Sequence, residues 1–256
     1  MKTDYIRNIL QEAGREAAEF IRNNAADFGD KKFKGRVDMV TDIDLGAEKI
    51  ILNKIRQHFP GHSIVTEESD NKDTFSDYRW IIDPLDGTTN FVHSFPFVAV
   101  SIGLEYNGEM VMGIVYNPFM REYFFAEKEK GAFLNDKPIH VSGNETLKAS
   151  LLSTGFPYDL SDHFERNMQL FSKIYRKTQG IRRAGSAALD LCYVACGRFD
   201  GFWEYDLNPW DVAAGSLIVS EAGGKLTNFT GGKLDIYSDE IMATNGLIHR
   251  ELLENF

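Results

Sequence analysis

The residues best suited to carry chemistry lie in the segment WIIDPLDGTTNF, residues 80–91. Its first three residues have the composition of a buried strand, yet they run directly into Asp83 and Asp86. The proline between them favours an extended backbone at Asp83. Gly87 permits a sharp turn that would aim both carboxylates and the Leu85 carbonyl at one point. Buried carboxylates are costly unless they are neutralised, hydrogen-bonded or bound to metal, so this segment predicts a metal site.

Acidic residues also stand at the edges of three other predicted elements, in the motifs DMVTDID, TEES and PWD. The residues concerned are Asp38, Asp42, Asp44, Glu67, Glu68 and Asp211. Singly, each has a simpler interpretation as a surface acid or a helix cap. Jointly, oxygen ligands without Cys or His favour Mg²⁺ or Mn²⁺, and the successive N–H groups of Gly87, Thr88 and Thr89 suit a phosphate. A cation site beside an anion site indicates metal-assisted phosphoryl chemistry.

The elements that must position these residues alternate between helix and sheet. Apolar spacing predicts helices over residues 4–27, 45–59 and 162–176, and at SAALDLCYVACG and PWDVAAGSLIVSEAGG. Short strands from Phe97 to Val141 predict an antiparallel meander, with a hairpin turn at Asn107-Gly108. We therefore predict a layered α/β sandwich. A half over residues 1–146 would carry most metal ligands, and a half over residues 147–256 would complete the active site.

Composition narrows the class of protein. The chain has 256 residues, of which 43% are hydrophobic, enough for one large core or two packed halves. Its net charge of −10 disfavours a nucleic acid partner. It has neither an apolar signal region nor a run approaching the roughly 18–20 apolar residues of a membrane helix, so a soluble cytoplasmic protein is expected. Cys192 and Cys196 are interpreted as small buried side chains, and His93 as a packed histidine.

These motifs resemble those of the inositol monophosphatase family. IVTEES, WIIDPLDGTTNFVHSFPFVAVSIGL and PWDVAAGSLIVSEAGG, together with DMVTDID and GSAALDLCYVACGRFDGFWE, span almost the whole chain in the family's order. The resemblance implies a five-layered αβαβα sugar-phosphatase fold, a homodimer and inhibition by lithium. It also implies a requirement for two to three Mg²⁺ ions, with Mn²⁺ as a substitute. The substrate would be a small inositol or sugar phosphate.

The resemblance also implies roles for single residues. Glu67, Asp83 and the Leu85 carbonyl would hold one metal ion. Asp83, Asp86 and Asp211 would hold a second. Glu67 would also face a third ion and take part in catalysis, with Glu68 close behind it.

Water and substrate would be held by further residues of the same motifs. Thr88, paired with Asp44, would orient the attacking water. The substrate contacts would come from Gly87, Thr88, Gly185, Ser186 and Ala187, and from Glu204, which would bind sugar hydroxyls. Asp38 and Thr41 would shape the catalytic wall, and the basic segment Lys31 to Val37 would be a mobile catalytic loop.

Three alternatives stay open at this point. Fructose-1,6-bisphosphatase activity, alone or beside inositol phosphatase activity, would use the same metal site. A nucleotide 3′,5′-bisphosphate phosphatase is less favoured, because that branch carries DGTKEF where this chain has DGTTNF. A different class is a regulatory protein that binds partners in transcription and RNA processing. The basic residues from Arg176 to Arg183, otherwise interpreted as solvated surface, would suit such a surface.

Overall fold

Five layers of secondary structure build the protein. The computed structural model describes residues 3–25, 32–33, 39–40, 42–69, 74, 76–157 and 161–256. Its helices are α1 (Thr3–Asn23), α2 (Asp42–His58), α3 (Thr88–Val92), α4 (Asp162–Tyr175), α5 (Ala187–Ala195), α6 (Pro209–Glu221) and α7 (His249–Leu253). Helices α1 and α2 cover one sheet, α5 and α6 lie between this sheet and a second one, and α4 and α7 cover the second sheet.

The strands form two large sheets and one short pair. The pair is β1 (Lys32–Phe33) with β2 (Met39–Val40). The seven-stranded sheet runs in the order β3 (Ser63–Thr66), β4 (Tyr78–Asp86), β5 (Ala99–Tyr106), β6 (Glu109–Asn117), β7 (Glu122–Glu127), β8 (Gly131–Leu134) and β9 (Lys137–Ile139). All of its pairings are antiparallel except β3 with β4. The five-stranded sheet runs in the order β11 (Gly180–Arg182), β10 (Leu151–Thr154), β12 (Gly201–Tyr205), β14 (Glu240–Thr244) and β13 (Lys225–Thr227).

The apolar faces of the helices follow from this layering. Helix α1 buries one stripe that includes Leu10 and Ile21 against the seven-stranded sheet. Helix α6 is buried continuously from Val212 to Val219, because it packs between two sheets. A helix with an apolar stripe covers a layer from outside, whereas one that is apolar all round lies inside. The layered αβαβα architecture predicted from the sequence is therefore confirmed.

Most predicted elements are present with shifted ends. Helix α2 begins at Asp42 rather than Leu45, so its first turn carries two acids that favour the helix dipole. The Asn107-Gly108 turn has the two positive φ angles of its hairpin type, 51° and 79°. Helix α3 and strand β11 were not predicted, because five and three residues are too few for a periodic pattern.

The two sheets occupy different stretches of the chain. The larger sheet ends at Ile139, and the smaller begins at Leu151. The proposed boundary near residue 146 falls between them, and the division into two halves stays a prediction. Among the described residues, none of the helices is both long and apolar enough to span a bilayer.

Candidate active site

The DPLD segment lies on a bulge at the end of β4. Asp83 pairs with Ser101 of β5, whereas Asp86, three residues later, pairs with Ala99 only two residues away. The extra residue on β4 bends the strand, as bulges do beside active sites. The Leu85 N–H donates to Asp83 Oδ1 at 2.9 Å. Asp83 is 1% exposed and Asp86 is 8% exposed, so both acids of the motif are buried.

Gly87 makes the turn that follows the bulge. Its φ is 91°, and a Cβ there would lie 3.0 Å from the Phe97 carbonyl and 3.1 Å from the Gly185 carbonyl. Only glycine fits both the left-handed backbone and this close approach. Asn90 of α3 then donates to the carbonyls of Phe97 and Ala184, each at 2.8 Å. The turn is thereby fixed to the loop on the opposite side of the cleft.

Asp211 reaches the same point from the first turn of α6. Its carboxylate accepts a hydrogen bond from the Asn208 N–H at 2.6 Å, within a capping box. Carboxylate oxygens of Asp83, Asp86 and Asp211 all lie within 4.8 Å of one another. The helix-cap interpretation of Asp211 and its place in an acidic cluster are therefore compatible.

The three acids of the cluster all have raised pKa values, so each resists ionisation in the metal-free cleft. Burial raises the pKa of Asp83 well above its usual range, and the charges of Glu67, Asp86 and Asp211 raise it further. Burial raises the pKa of Asp86 to about 6, although Ser186 Oγ and the Ala188 N–H donate to it at 2.6 and 2.8 Å. Burial and the charge of Asp86 raise the pKa of Asp211 to about 8. Such an oxygen-only cluster fits a divalent cation, whose charge would relieve the repulsion.

Glu67 lines the cleft beside the cluster. The segment that carries it is anchored by Glu48, which is 3% exposed and accepts from Thr66 Oγ1 at 2.7 Å and the Ser69 N–H at 3.1 Å. Glu68 is half-buried but does not line the cleft.

Thr88 and Asp44 meet across the site, as the resemblance implies. Asp44 is fully buried in the first turn of α2. The Thr88 hydroxyl, at the start of α3, donates to Asp44 Oδ1 at 2.9 Å, with the Leu85 carbonyl at 3.1 Å as a second acceptor. A threonine hydroxyl that donates in this way keeps its oxygen lone pairs available to accept from water.

The other side of the cleft comes from the smaller sheet and its loops. The cleft has a volume of about 140 Å³, and its lining includes Gly155, Arg183, Gly185, Ser186, Ala187 and Glu204. Burial raises the pKa of Glu204 to about 8, the nearby Arg183 charge lowers it and the Asp86 charge raises it. This wall therefore pairs one carboxyl that readily holds a proton with one fixed positive charge.

The structure thus brings together most of the residues singled out in the sequence. Glu67, Asp83, Leu85, Asp86, Gly87, Thr88, Gly185, Ser186, Ala187, Glu204 and Asp211 line one cleft, with Asp44 directly behind Thr88. Asp38, Thr41 and most of the loop over residues 31–37 lie outside the described residues. The prediction that His93 is a packed histidine is wrong, because the side chain is exposed. The chain turns outward at the next residue, Ser94, whose φ is 57°.

Sequence reasoning missed four contributors to the site. Arg183 was interpreted mainly as surface, and Gly155, Asn90 and Glu48 were not singled out. The only local signals were the glycine directly after a strand in STGF and the pair of arginines in GIRRAG.

The five layers and the acidic cleft define a class of metal-dependent phosphatases. The sequence profile of the Inositol monophosphatase family matches residues 2–256. The chain belongs to this family, as the motifs indicated, and is a phosphatase of the family's metal-dependent type.

Individual relatives agree with this assignment. The chain is 50% identical over 221 residues to an inositol-1-monophosphatase of Synechocystis sp., covering 86% of this chain and 77% of that protein. It is 41% identical over 251 residues to the Nus factor SuhB of Escherichia coli, covering 97% and 94%. The solved structure of an inositol monophosphatase from Anabaena has a TM-score of 0.89 at 42% identity, covering 100% of this chain and 96% of that one.

Proposed function

We propose that the protein is a Mg²⁺-dependent phosphomonoesterase that hydrolyses inositol 1-phosphate by attack of water on phosphorus. The observation that carries this proposal is the cleft itself. Three carboxylates within 4.8 Å of one another face it from one side, and Glu204 faces it from the other. The relatives named inositol monophosphatase support this choice of substrate.

The acidic wall would hold the metal ions. Glu67, Asp83 and the Leu85 carbonyl would bind one ion, and Asp83, Asp86 and Asp211 a second, with Glu67 facing a weaker third. Bound Mg²⁺ would supply positive charge that activates water and stabilises the phosphate and the leaving group. The raised pKa values of Asp83 and Asp211 support this assignment, because a cation would keep both ionised at neutral pH beside the charge of Asp86.

Thr88 and Asp44 would orient the attacking water. The Thr88 hydroxyl donates to Asp44, so its oxygen lone pairs can accept a hydrogen bond from a water held in the cleft. Because Asp44 is fully buried and Thr88 opens α3, this pair is held rigidly relative to the bulge. Orientation of this kind contributes to catalysis without any covalent intermediate.

The substrate would lie between the two walls. The N–H groups of Gly87 and Thr88 would bind the phosphate. They lie at the start of α3, where the first N–H groups of a helix have no partners within the helix. Glu204 would bind ring hydroxyls, with Gly185, Ser186 and Ala187 as the facing wall. Arg183, whose charge reaches Asp86 and Glu204, would help to hold the negatively charged ester.

Phosphate release from purified protein tests the proposal. The panel is inositol 1-phosphate, fructose 1,6-bisphosphate and adenosine 3′,5′-bisphosphate, each with Mg²⁺ and with a chelator. We expect Mg²⁺-dependent turnover of inositol 1-phosphate, and a loss of at least about 10³-fold in Asp86→Asn. Asp136→Asn is the matched control, because it makes the same change at an exposed residue in the turn between β8 and β9.

The possible outcomes separate the alternatives. Turnover of only fructose 1,6-bisphosphate or only the nucleotide would keep the metal site and change the substrate. Mg²⁺-independent turnover, or an active Asp86→Asn, would overturn the proposed metal site.

A second function is favoured by the relatives named Nus factor SuhB. This chain would then also bind a partner in transcription or RNA processing. Binding to a transcription complex that is equally strong in the wild type and in Asp86→Asn would establish a role separate from catalysis. Loss of binding together with activity would tie any partner to the cleft.

Three further properties belong to the same proposal. We infer a homodimer, inhibition by lithium and a cytoplasmic location from the resemblance of the motifs. Sedimentation of the purified protein, lithium titration of phosphate release and fractionation of cells test them separately.

A further inference from the structure

Glu204 lies on the wall of the cleft opposite the metal cluster, and its position depends on Gly155. A Cβ built on Gly155 would overlap the Glu204 side chain, and its three nearest heavy atoms all belong to that carboxyl group. All three lie inside the 3.0 Å below which real Cβ contacts essentially do not occur. The Glu204 carboxyl therefore occupies the space that a side chain at position 155 would fill.

Strand register explains why these two residues compete for space. Strands β10 and β12 run parallel, with Ser153 beside Phe202 and Thr154 beside Trp203. Continuing this register by one step places Gly155 beside Glu204. Side chains of neighbouring residues in a pair point to the same face of a sheet. Position 155 and Glu204 thus share the face that lines the cleft.

The opposite face of the same two strands is fixed by Asn167. This residue of α4 is fully buried, and its Nδ2 donates to the Gly155 carbonyl at 2.5 Å. Its Oδ1 accepts from Trp203 Nε1 at 2.6 Å. Thr154 Oγ1 completes the network by donating to the Trp203 carbonyl at 2.7 Å. The Asn167 amide therefore holds both Gly155, which lies beside Glu204 in the sheet, and Trp203, which precedes Glu204 in the chain.

We propose that Gly155 and Asn167 are positioning residues that set where the Glu204 carboxyl lies and thereby which hydroxylated substrates the cleft accepts. This inference rests on the proposed function, in which Glu204 binds substrate hydroxyls. Gly155 leaves the space that the carboxyl occupies. Asn167 fixes the separation of the two strands that carry them.

Gly155→Ala is the direct test, because only the end of a flexible side chain has to move. Gly155 does not have a positive φ, so alanine is compatible with its backbone. With Mg²⁺ present, we expect kcat/KM for inositol 1-phosphate to fall about 10-fold, mainly through KM, since displacing the carboxyl should cost no more than the hydrogen bonds it would make to the substrate. The constants for 4-nitrophenyl phosphate, which has no hydroxyl for Glu204 to bind, should stay within about twofold.

Gly180→Ala is the matched control. It adds the same methyl group to the adjacent strand β11, where the nearest atom is Arg182 Nη1 at 3.1 Å. Both substrates should be hydrolysed as by the wild type. Asn167→Asp is the second variant, because it replaces the donor to the Gly155 carbonyl with an acceptor at nearly constant volume. It should raise KM for inositol 1-phosphate in the same selective way.

A double-mutant cycle that combines Gly155→Ala with Glu204→Ala separates this inference from the proposed function. Gly155→Ala should lower the melting temperature when Glu204 is present and have little effect when Ala stands at position 204, because the overlapping atoms are gone. This readout requires no activity, so it holds even if the cleft accepts a different substrate. Equal loss on both substrates, a wild-type KM in Gly155→Ala, or an undiminished melting shift in the double variant would overturn the positioning role. Selective loss in Glu204→Ala but not in Gly155→Ala would leave the proposed function intact and reject only this inference.

Discussion

The two sheets contribute unlike walls to one cleft. The seven-stranded sheet supplies Asp83 and Asp86 from a single bulge, so a segment of four residues sets most of the metal wall. The five-stranded sheet supplies Glu204 from the strand beside β10, and Gly155 and Gly185 from loops that follow two other strands. Local backbone geometry therefore builds the metal wall, whereas the substrate wall depends on how distant segments pack.

The walls also differ in their electrostatics. On the metal wall, carboxylates raise one another's pKa in addition to the effect of burial. On the substrate wall, Arg183 partly offsets the burial of Glu204. A change on the first wall should therefore affect metal binding and kcat, and a change on the second should affect KM. Substitutions on each wall, and removal of the metal, therefore test this division.

Thr88→Ala should have the largest effect. It removes the hydroxyl that donates to Asp44 and would orient water, so kcat should fall about 10²–10³-fold with KM nearly unchanged, as for loss of a positioned polar group at other active sites. Steady-state kinetics at saturating Mg²⁺ measure both constants. Thr88→Ser keeps the hydroxyl and should retain most activity. A rise in KM without a fall in kcat would place Thr88 on the substrate side of the division.

Metal-free protein should lose stability as the pH rises from about 5 to 8. The pKa values of Asp86 and Asp211 are raised to about 6 and about 8, so the folded state holds protons that the unfolded state releases near pH 4. The free energy of unfolding should therefore decrease across this window, by about 3 kcal/mol after allowance for the partial exposure of Asp211.

Urea unfolding with a chelator, at several pH values, measures this dependence. Mg²⁺ should restore stability more at pH 8 than at pH 5, because binding stabilises the folded state and needs ionised ligands. Asp211→Asn should flatten the metal-free pH dependence while keeping an acceptor for the Asn208 N–H. A metal-free protein that is more stable at pH 8 than at pH 5 would contradict the buried-acid explanation.

Glu204→Leu should affect recognition more than chemistry. Loss of a hydrogen-bonding carboxyl should raise KM for inositol 1-phosphate about 10–30-fold, equivalent to about 1.4–2 kcal/mol. The kcat for 4-nitrophenyl phosphate should change little, because that ester does not need the contact. Parallel kinetics on the two esters give the comparison. An equal fall in kcat for both would mean that Glu204 acts on the metal wall.

The same contrast explains what could be predicted from the sequence. The strand at Trp80, the turn at Gly87 and the acids around it are readable because neighbours in the chain determine their geometry. Pro209 in the first turn of α6 likewise predicts the start of the helix that carries Asp211. The layered architecture follows from the change of periodicity along the chain.

The remainder depends on contacts that no local pattern encodes. Asn90 donates to the Ala184 carbonyl across 94 residues of sequence, and Asn167 reaches Trp203 across 36. In the sequence, nothing distinguishes Gly155 from other loop glycines, because its role depends on the Glu204 side chain that lies beside it in the fold. Arg183 resembles a surface arginine because it is exposed, although its charge acts on the cleft. Tertiary packing alone assigns these residues to the site.

Ser186 joins the two walls and gives the finest test of the division. Its hydroxyl group donates to Asp86 Oδ2 at 2.6 Å, and its oxygen accepts from the Leu189 N–H at 3.3 Å as the N-cap of α5. In Ser186→Ala we expect about 10-fold weaker Mg²⁺ binding, because the donor that helps to keep Asp86 ionised is lost. Loss of the cap should also lower stability by about 1 kcal/mol.

Mg²⁺ titration calorimetry and thermal unfolding separate the two contributions of Ser186. Ser161→Ala is the matched control, since Ser161 precedes α4 but its side chain makes no capping hydrogen bond to that helix. It should leave both Mg²⁺ affinity and melting temperature near the wild-type values. Weaker Mg²⁺ binding without a change in KM would show that Ser186, although it lies on the substrate wall, acts through the metal wall. A higher KM with unchanged Mg²⁺ affinity would mean that its contact with Asp86 does not couple the walls, and the division between them would be sharper than we propose.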